Sequence, residues 1–137
     1  MKAVKIITNA YTLIVSFLVI MISGQHVGGF YVIYLLLALP HFAMHSILAI
    51  TGIVLLLLIY HNKKNNASIK KSLLNIIAVL LLLCSIFFFF DNDDEHYNYG
   101  TFYQLIPQLT LILFGSISLV FILKNIFDIY KISRKNL

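Results

Sequence analysis

Residues 30–60 run for thirty-one positions without a single Asp, Glu, Lys or Arg. Water solvates a folded surface through such groups, and a soluble domain carries about 25% of them. A bilayer core of about 30 Å asks instead for about 20 consecutive apolar residues at 1.5 Å rise. Three further runs of this kind occupy residues 6–22, 73–90 and 102–123; the first carries only Thr8, Asn9, Thr12 and Ser16 as polar members. With 61% hydrophobic and 11% charged residues and a mean hydropathy of +0.94, the chain cannot cover a water-facing surface. The predicted fold class is all-α: a polytopic membrane protein with one transmembrane domain over residues 1–137, folded as a four-transmembrane-helix bundle.

The run 30–60 is longer than a crossing needs, since one helix of that length would reach about 46 Å. Pro40 marks the break, because proline removes a backbone donor and its ring clashes with the preceding helical turn. Residues 30–39 are therefore predicted as a short re-entrant or interfacial helix, and residues 41–60 as the second span. The rival is one tilted helix kinked at Pro40.

Basic residues beside spans stay cytoplasmic, whereas acidic residues weigh little. With four spans and the N-terminus inside, Lys2, Lys5, Lys63, Lys64, Lys70, Lys71, Lys124, Lys131, Arg134 and Lys135 all fall on the cytoplasmic side. Asp91, Asp93, Asp94 and Glu95 fall outside, and only Asp128 falls inside. The expected location is the cell's inner (plasma) membrane, multi-pass, with both termini cytoplasmic. The lysine- and asparagine-rich flanks point the same way, towards a bacterial envelope. The net charge of +5 then borders anionic lipid in three separate segments and forms no nucleic-acid surface. Bulky residues at Ile20-Met21-Ile22-Ser23 argue against signal-peptide cleavage. Asn66-Ala67-Ser68 matches a glycosylation sequon but falls on the cytoplasmic side.

A faint repeat relates the halves: His26, Gly29 and Phe30-Tyr31 in one, His96, Gly100 and Phe102-Tyr103 in the other, each followed by a proline and a span. Helices in lipid associate through small residues and interhelical hydrogen bonds. The expected packing stripes are Asn9, Thr12, Ser16 and Ser23; His41, His45, Ala49 and Gly52; Asn75, Ala78 and Ser85; and Gln104, Gln108, Gly115 and Ser118. They serve equally a four-helix bundle or a partner subunit.

Cys84 is the one cysteine, so no intrachain disulfide forms, and the absence of C-x-x-C leaves thiol redox chemistry and c-type haem attachment unsupported. His41 and His45, four apart on a predicted helix, place two imidazoles on one side. The loop bearing Asp93, Asp94 and His96 would lie at the same level. Together these five are the candidate metal ligands, for zinc or copper, because imidazole suits both. H-x-x-x-H without the glutamate of a zincin motif is a weak pattern, and ordinary hydrogen bonding at a helix start explains it as well. Two histidines on one helix do not make a haem pair. Neither a nucleophile–base pair nor a phosphate-binding loop occurs, and no carboxylate, lysine or arginine lies deep in a span to carry transport. The expected role is a non-catalytic accessory or scaffolding subunit of a larger envelope complex, bound to other membrane subunits or to itself. The alternative is an outward-facing metal-binding or redox-associated protein centred on His41, His45 and His96.

Overall fold

Asn9 begins the first helix with an extended backbone and a side-chain oxygen that accepts from the Tyr11 N–H at 3.0 Å. In the computed structural model, which describes residues 6–25, 28–61, 68–92 and 96–135, helix α1 (Ala10–Leu18) then runs for only nine residues. That is about 14 Å, too short to cross a bilayer. The expected helix over residues 6–22 is therefore corrected: the β-branched Val19, Ile20 and Ile22 leave the helix. Strand β1 (Met21–Ser23) pairs antiparallel with β2 (Gly28–Phe30), Met21 opposite Phe30 and Ser23 opposite Gly28.

Helix α2 (Tyr31–Ala38) follows at once and ends in a 3-10 turn, Leu39–His41, with Pro40 inside it. Phe42 adopts a left-handed conformation (φ 53°), and the chain restarts as helix α3 (Met44–His61). The break expected at Pro40 is present. The helix expected over residues 41–60 starts three residues later, at Met44, because Pro40 tightens the turn and Phe42 reverses its hand before α-helical bonding resumes. Ser68 caps helix α4 (Ile69–Asp91) by accepting from the Lys71 N–H at 3.2 Å. A second 3-10 turn, Gly100–Phe102, leads into helix α5 (Leu105–Lys135). α3, α4 and α5 are long and apolar enough to cross a membrane.

Side chains that meet at each end reveal the chain's course. Thr8, Tyr60, Lys71, Asn75 and Lys124 border one hollow at what we term the lysine end. At the other, tyrosine end, Ser23 bridges to Tyr99, its N–H donates to the Thr101 hydroxyl at 2.9 Å, and the Gln25 N–H donates to the Tyr97 carbonyl at 2.9 Å. The segment from Asn9 to Ser23 thus travels from one end to the other as a short helix followed by a strand. In hydrocarbon, non-helical backbone is tolerated only when protein satisfies it. Here the Met21 N–H donates to the Thr110 hydroxyl at 3.0 Å, the Tyr31 N–H donates to the Ile20 carbonyl at 2.7 Å, and Ile20 and Ile22 are buried.

The core follows helical spacing. Ala49, Gly52 and Leu56 of α3 meet Ala78, Val79 and Leu82 of α4, all buried. α3 and α4 pack more extensively than any other pair of elements. A Cβ added at Gly52 would lie 2.9 Å from the Ala78 carbonyl oxygen, so only glycine allows this approach. Gly100 is similar at the tyrosine end, where a Cβ would lie 2.8 Å from the Ser23 carbonyl oxygen. α5 corrects the expected stripe of Gln104, Gln108, Gly115 and Ser118. Of these only Ser118 faces inward, and Phe114, Phe121 and Asn125 share its buried face. Two phenylalanines and two polar side chains thus make up that face. Outward-facing Leu58, Phe87 and Leu119 are more than half exposed, a distribution that suits hydrocarbon and not water.

Candidate functional site

The tyrosine end holds a three-element polar relay in an aromatic setting. Tyr31 opens α2 and is buried. The Ser85 hydroxyl of α4 donates to the His45 carbonyl of α3 at 2.7 Å, which commits its proton. The Tyr31 hydroxyl, 2.8 Å from that oxygen and 3.1 Å from the Ser85 carbonyl, then acts as the donor. Burial pushes the Tyr31 phenol above its ordinary range and keeps it neutral, with the Ser85 hydrogen bond opposing weakly. One serine thereby ties α2, α3 and α4 together.

Rings enclose the relay. Phe17 of α1 and Phe89 of α4 meet Tyr31 edge-on at 5.5 and 5.0 Å, and the His45 ring lies 5.4 Å from Phe89. Such pairs contribute about 0.5–1.5 kcal/mol each beyond area burial. The His45 Nε2 is buried and has no hydrogen-bond partner, as is the Ser46 hydroxyl beside it.

The sequence-derived ligands are placed as follows. His41 sits exposed in the 3-10 turn, while His45 lies in the first turn of α3 with the left-handed Phe42 between them. They do not occupy adjacent turns of one helix, which corrects the geometric premise of the pair. His96 has a positive φ of 57°, and its ring lies 4.2 Å from that of Tyr99. Asp93 and Asp94 lie outside the described residues. Among the described residues no three His, Cys, Asp or Glu side chains converge as a metal site requires. Sequence reading picked out Ser85 as a packing residue and Tyr31 as part of a repeat. It missed their connection, since nothing in the local pattern joins positions 54 residues apart.

The lysine end is also polar. Asn75 of α4 donates to the Asn125 side chain of α5 at 2.9 Å, and Asn125 donates back to the Phe121 carbonyl at 2.8 Å. Asn9 reaches the Tyr60 hydroxyl at 3.4 Å, and Tyr11 meets the Tyr60 ring edge-on at 4.8 Å. Beyond this junction α5 continues as an arm. Lys124 pairs with Asp128 at 3.1 Å, but no carboxylate among the described residues pairs with Lys131 or Arg134. These two share a surface hollow with Phe127 and Tyr130, whose side chains are 63% and 61% exposed.

Comparison of the chain with models of known families, with curated proteins and with solved structures yields no match.

Proposed function

We propose that the chain is a small integral membrane subunit of a larger envelope assembly, non-catalytic, that docks a partner protein through the lysine-end arm of α5. The carrying observation is the exposure of Ile126, Phe127 and Tyr130 past Lys124. α5 is 31 residues long, about 46 Å, so a bilayer that covers its apolar part from Leu105 leaves the arm outside. Aromatic residues exposed there are covered neither by lipid tails nor by the bundle. A partner with apolar and acidic groups complements the two rings and the unpaired Lys131 and Arg134, since aromatic and arginine anchors dominate interface energetics.

The lysine end faces the cytoplasm in this reading, because Lys70, Lys71, Lys124, Lys131 and Arg134 gather there. The chain crosses four times: first as α1 with β1, then as α3, α4 and α5. α2 and its proline turn lie at the outer interface, where exposed Leu36, Leu37 and Phe42 meet lipid. Both termini are cytoplasmic, in an inner membrane.

A photo-crosslinking residue placed at Tyr130, in membranes of the native host, tests the docking. One protein adduct of defined mass is expected, abolished by Phe127→Ala although insertion is unchanged. Adducts to lipid alone would overturn the proposal, and an adduct at twice the chain's mass would identify a second copy as the occupant.

A further inference from the structure

Residues of α4, α5 and the turn before α5 border a cleft of about 400 Å³ at the tyrosine end, within the range of small-molecule pockets. The cleft exists partly because Gly115 contributes no side chain: a Cβ built there meets nothing within 4 Å. Phe90, almost fully buried, forms part of its lining, and the more exposed Phe87 and Phe102 stand beside it. Phe90 and Phe102 have centroids 4.6 Å apart, and Tyr99 lies 6.2 Å from the first and 5.6 Å from the second. These three rings are mutually inclined, at 48°, 73° and 88°, and together form one aromatic wall of the cleft.

The electrostatics of this lining have one sign. Aromatic faces carry the negative part of the ring quadrupole, and among the described residues the single charged group in the lining is the Asp91 carboxylate, exposed at the last residue of α4. Among the described residues no lysine or arginine lines the cleft. An anion therefore meets only repulsion, and a neutral apolar molecule makes use of the rings but not of the carboxylate. A cation with an apolar body satisfies both, since its charge is attracted to ring faces as well as to the carboxylate. The volume suits a drug-sized molecule and is too small for a two-chain lipid.

We infer that this cleft binds a small hydrophobic cation, a substituted ammonium on an aromatic or alkyl body, with Asp91 as counter-ion and Phe90, Phe102 and Tyr99 as its aromatic wall. The site lies at the opposite end of the bundle from the α5 arm. It stands or falls independently of partner docking.

The test is equilibrium binding of benzyltrimethylammonium to the purified full chain in uncharged maltoside micelles, followed by ligand-observed NMR. Neopentylbenzene, in which carbon replaces the nitrogen, serves as the uncharged isostere. Saturable one-to-one binding of the cation is expected, with the isostere at least about ten-fold weaker. Asp91→Asn and Phe102→Ala should each weaken the cation by about ten-fold, while Phe102→Tyr, which keeps a ring face, retains it. Phe102 is 42% exposed, so its truncation leaves the core intact. Equal affinity for the isostere would reduce the cleft to a lipid-filled groove and overturn the inference. So would unchanged affinity in Asp91→Asn, or the absence of saturable binding to the unmodified chain.

Discussion

Replacing Gly52 by alanine inserts one methyl group at the closest approach of α3 to α4. Its carbon would lie 2.9 Å from the Ala78 carbonyl oxygen and 2.9 Å from a Leu82 methyl. The leucine can rotate, but the carbonyl belongs to the α4 backbone and cannot. Relief of the clash requires the two helices to separate by about half an ångström, which loosens the buried contacts of Ala49, Leu56, Ala78 and Leu82. Overpacking of this kind costs about 1–3 kcal/mol. Alanine also gains about 1 kcal/mol of helix propensity over glycine, which partly masks that loss. Gly115→Ala supplies the reference, since it receives the same propensity gain and its new methyl meets nothing within 4 Å. The stability difference between the two variants therefore isolates the clash, at about 1–3 kcal/mol in disfavour of Gly52→Ala. Unfolding by sodium dodecyl sulfate in mixed micelles, followed by far-ultraviolet circular dichroism, measures it. Equal stability of the two variants would refute the close approach of α3 and α4.

The remaining expectations follow from other contacts. Tyr31→Phe and Ser85→Ala should each lower stability by about 1–2 kcal/mol, and the double variant by less than their sum, because both act on one relay; additive losses in a double-mutant cycle would break that link. Thr110→Val should cost about 1–3 kcal/mol by leaving the Met21 N–H without its acceptor, and Thr110→Ser should restore most of it; equal losses in the two variants would remove the hydroxyl from the account. Reporter fusions at Lys64 and Leu137 should read cytoplasmic and an insertion at Asn98 external; a cytoplasmic Asn98 would reverse the proposed topology. Zinc titration should give no binding step lost on His41→Ala, because Phe42 separates that side chain from His45; a one-to-one step lost in both His41→Ala and His45→Ala would overturn the separation.

Where sequence reading succeeded, a residue imposed its own geometry, as Pro40 did on the helix before it. The apolar runs behind α3, α4 and α5 were also legible, because length and hydropathy alone suffice to mark them. Residues 6–22 looked no different. Their departure from a helix depends on Thr101 and Thr110, whose positions relative to Ile22 come from the whole fold. Likewise Gln104 and Gln108 seemed to mark the inner face of α5, but two polar side chains near a helix start reach water. Phe114 and Phe121 had to fill the space beside α1 and α4. The cleft was hidden for a similar reason: Asp91 read only as one of the outside acids, and Gly115 as a packing residue, until α4 and α5 brought them to one opening.

The acceptors of strand β1 have a consequence for biogenesis. While only the N-terminal part of the chain has been made, neither Thr101 nor Thr110 exists to receive the Ser23 and Met21 amides. In a lipid environment backbone amides without such acceptors favour helix, which satisfies them internally, and residues 6–22 are apolar enough to form it. Strand β1 is thus expected to reach this backbone conformation only once Thr101 and Thr110 are in place. A chain truncated before Thr101 should therefore show helix continuing past Leu18, and strand at residues 21–23 in that truncated chain would refute the dependence.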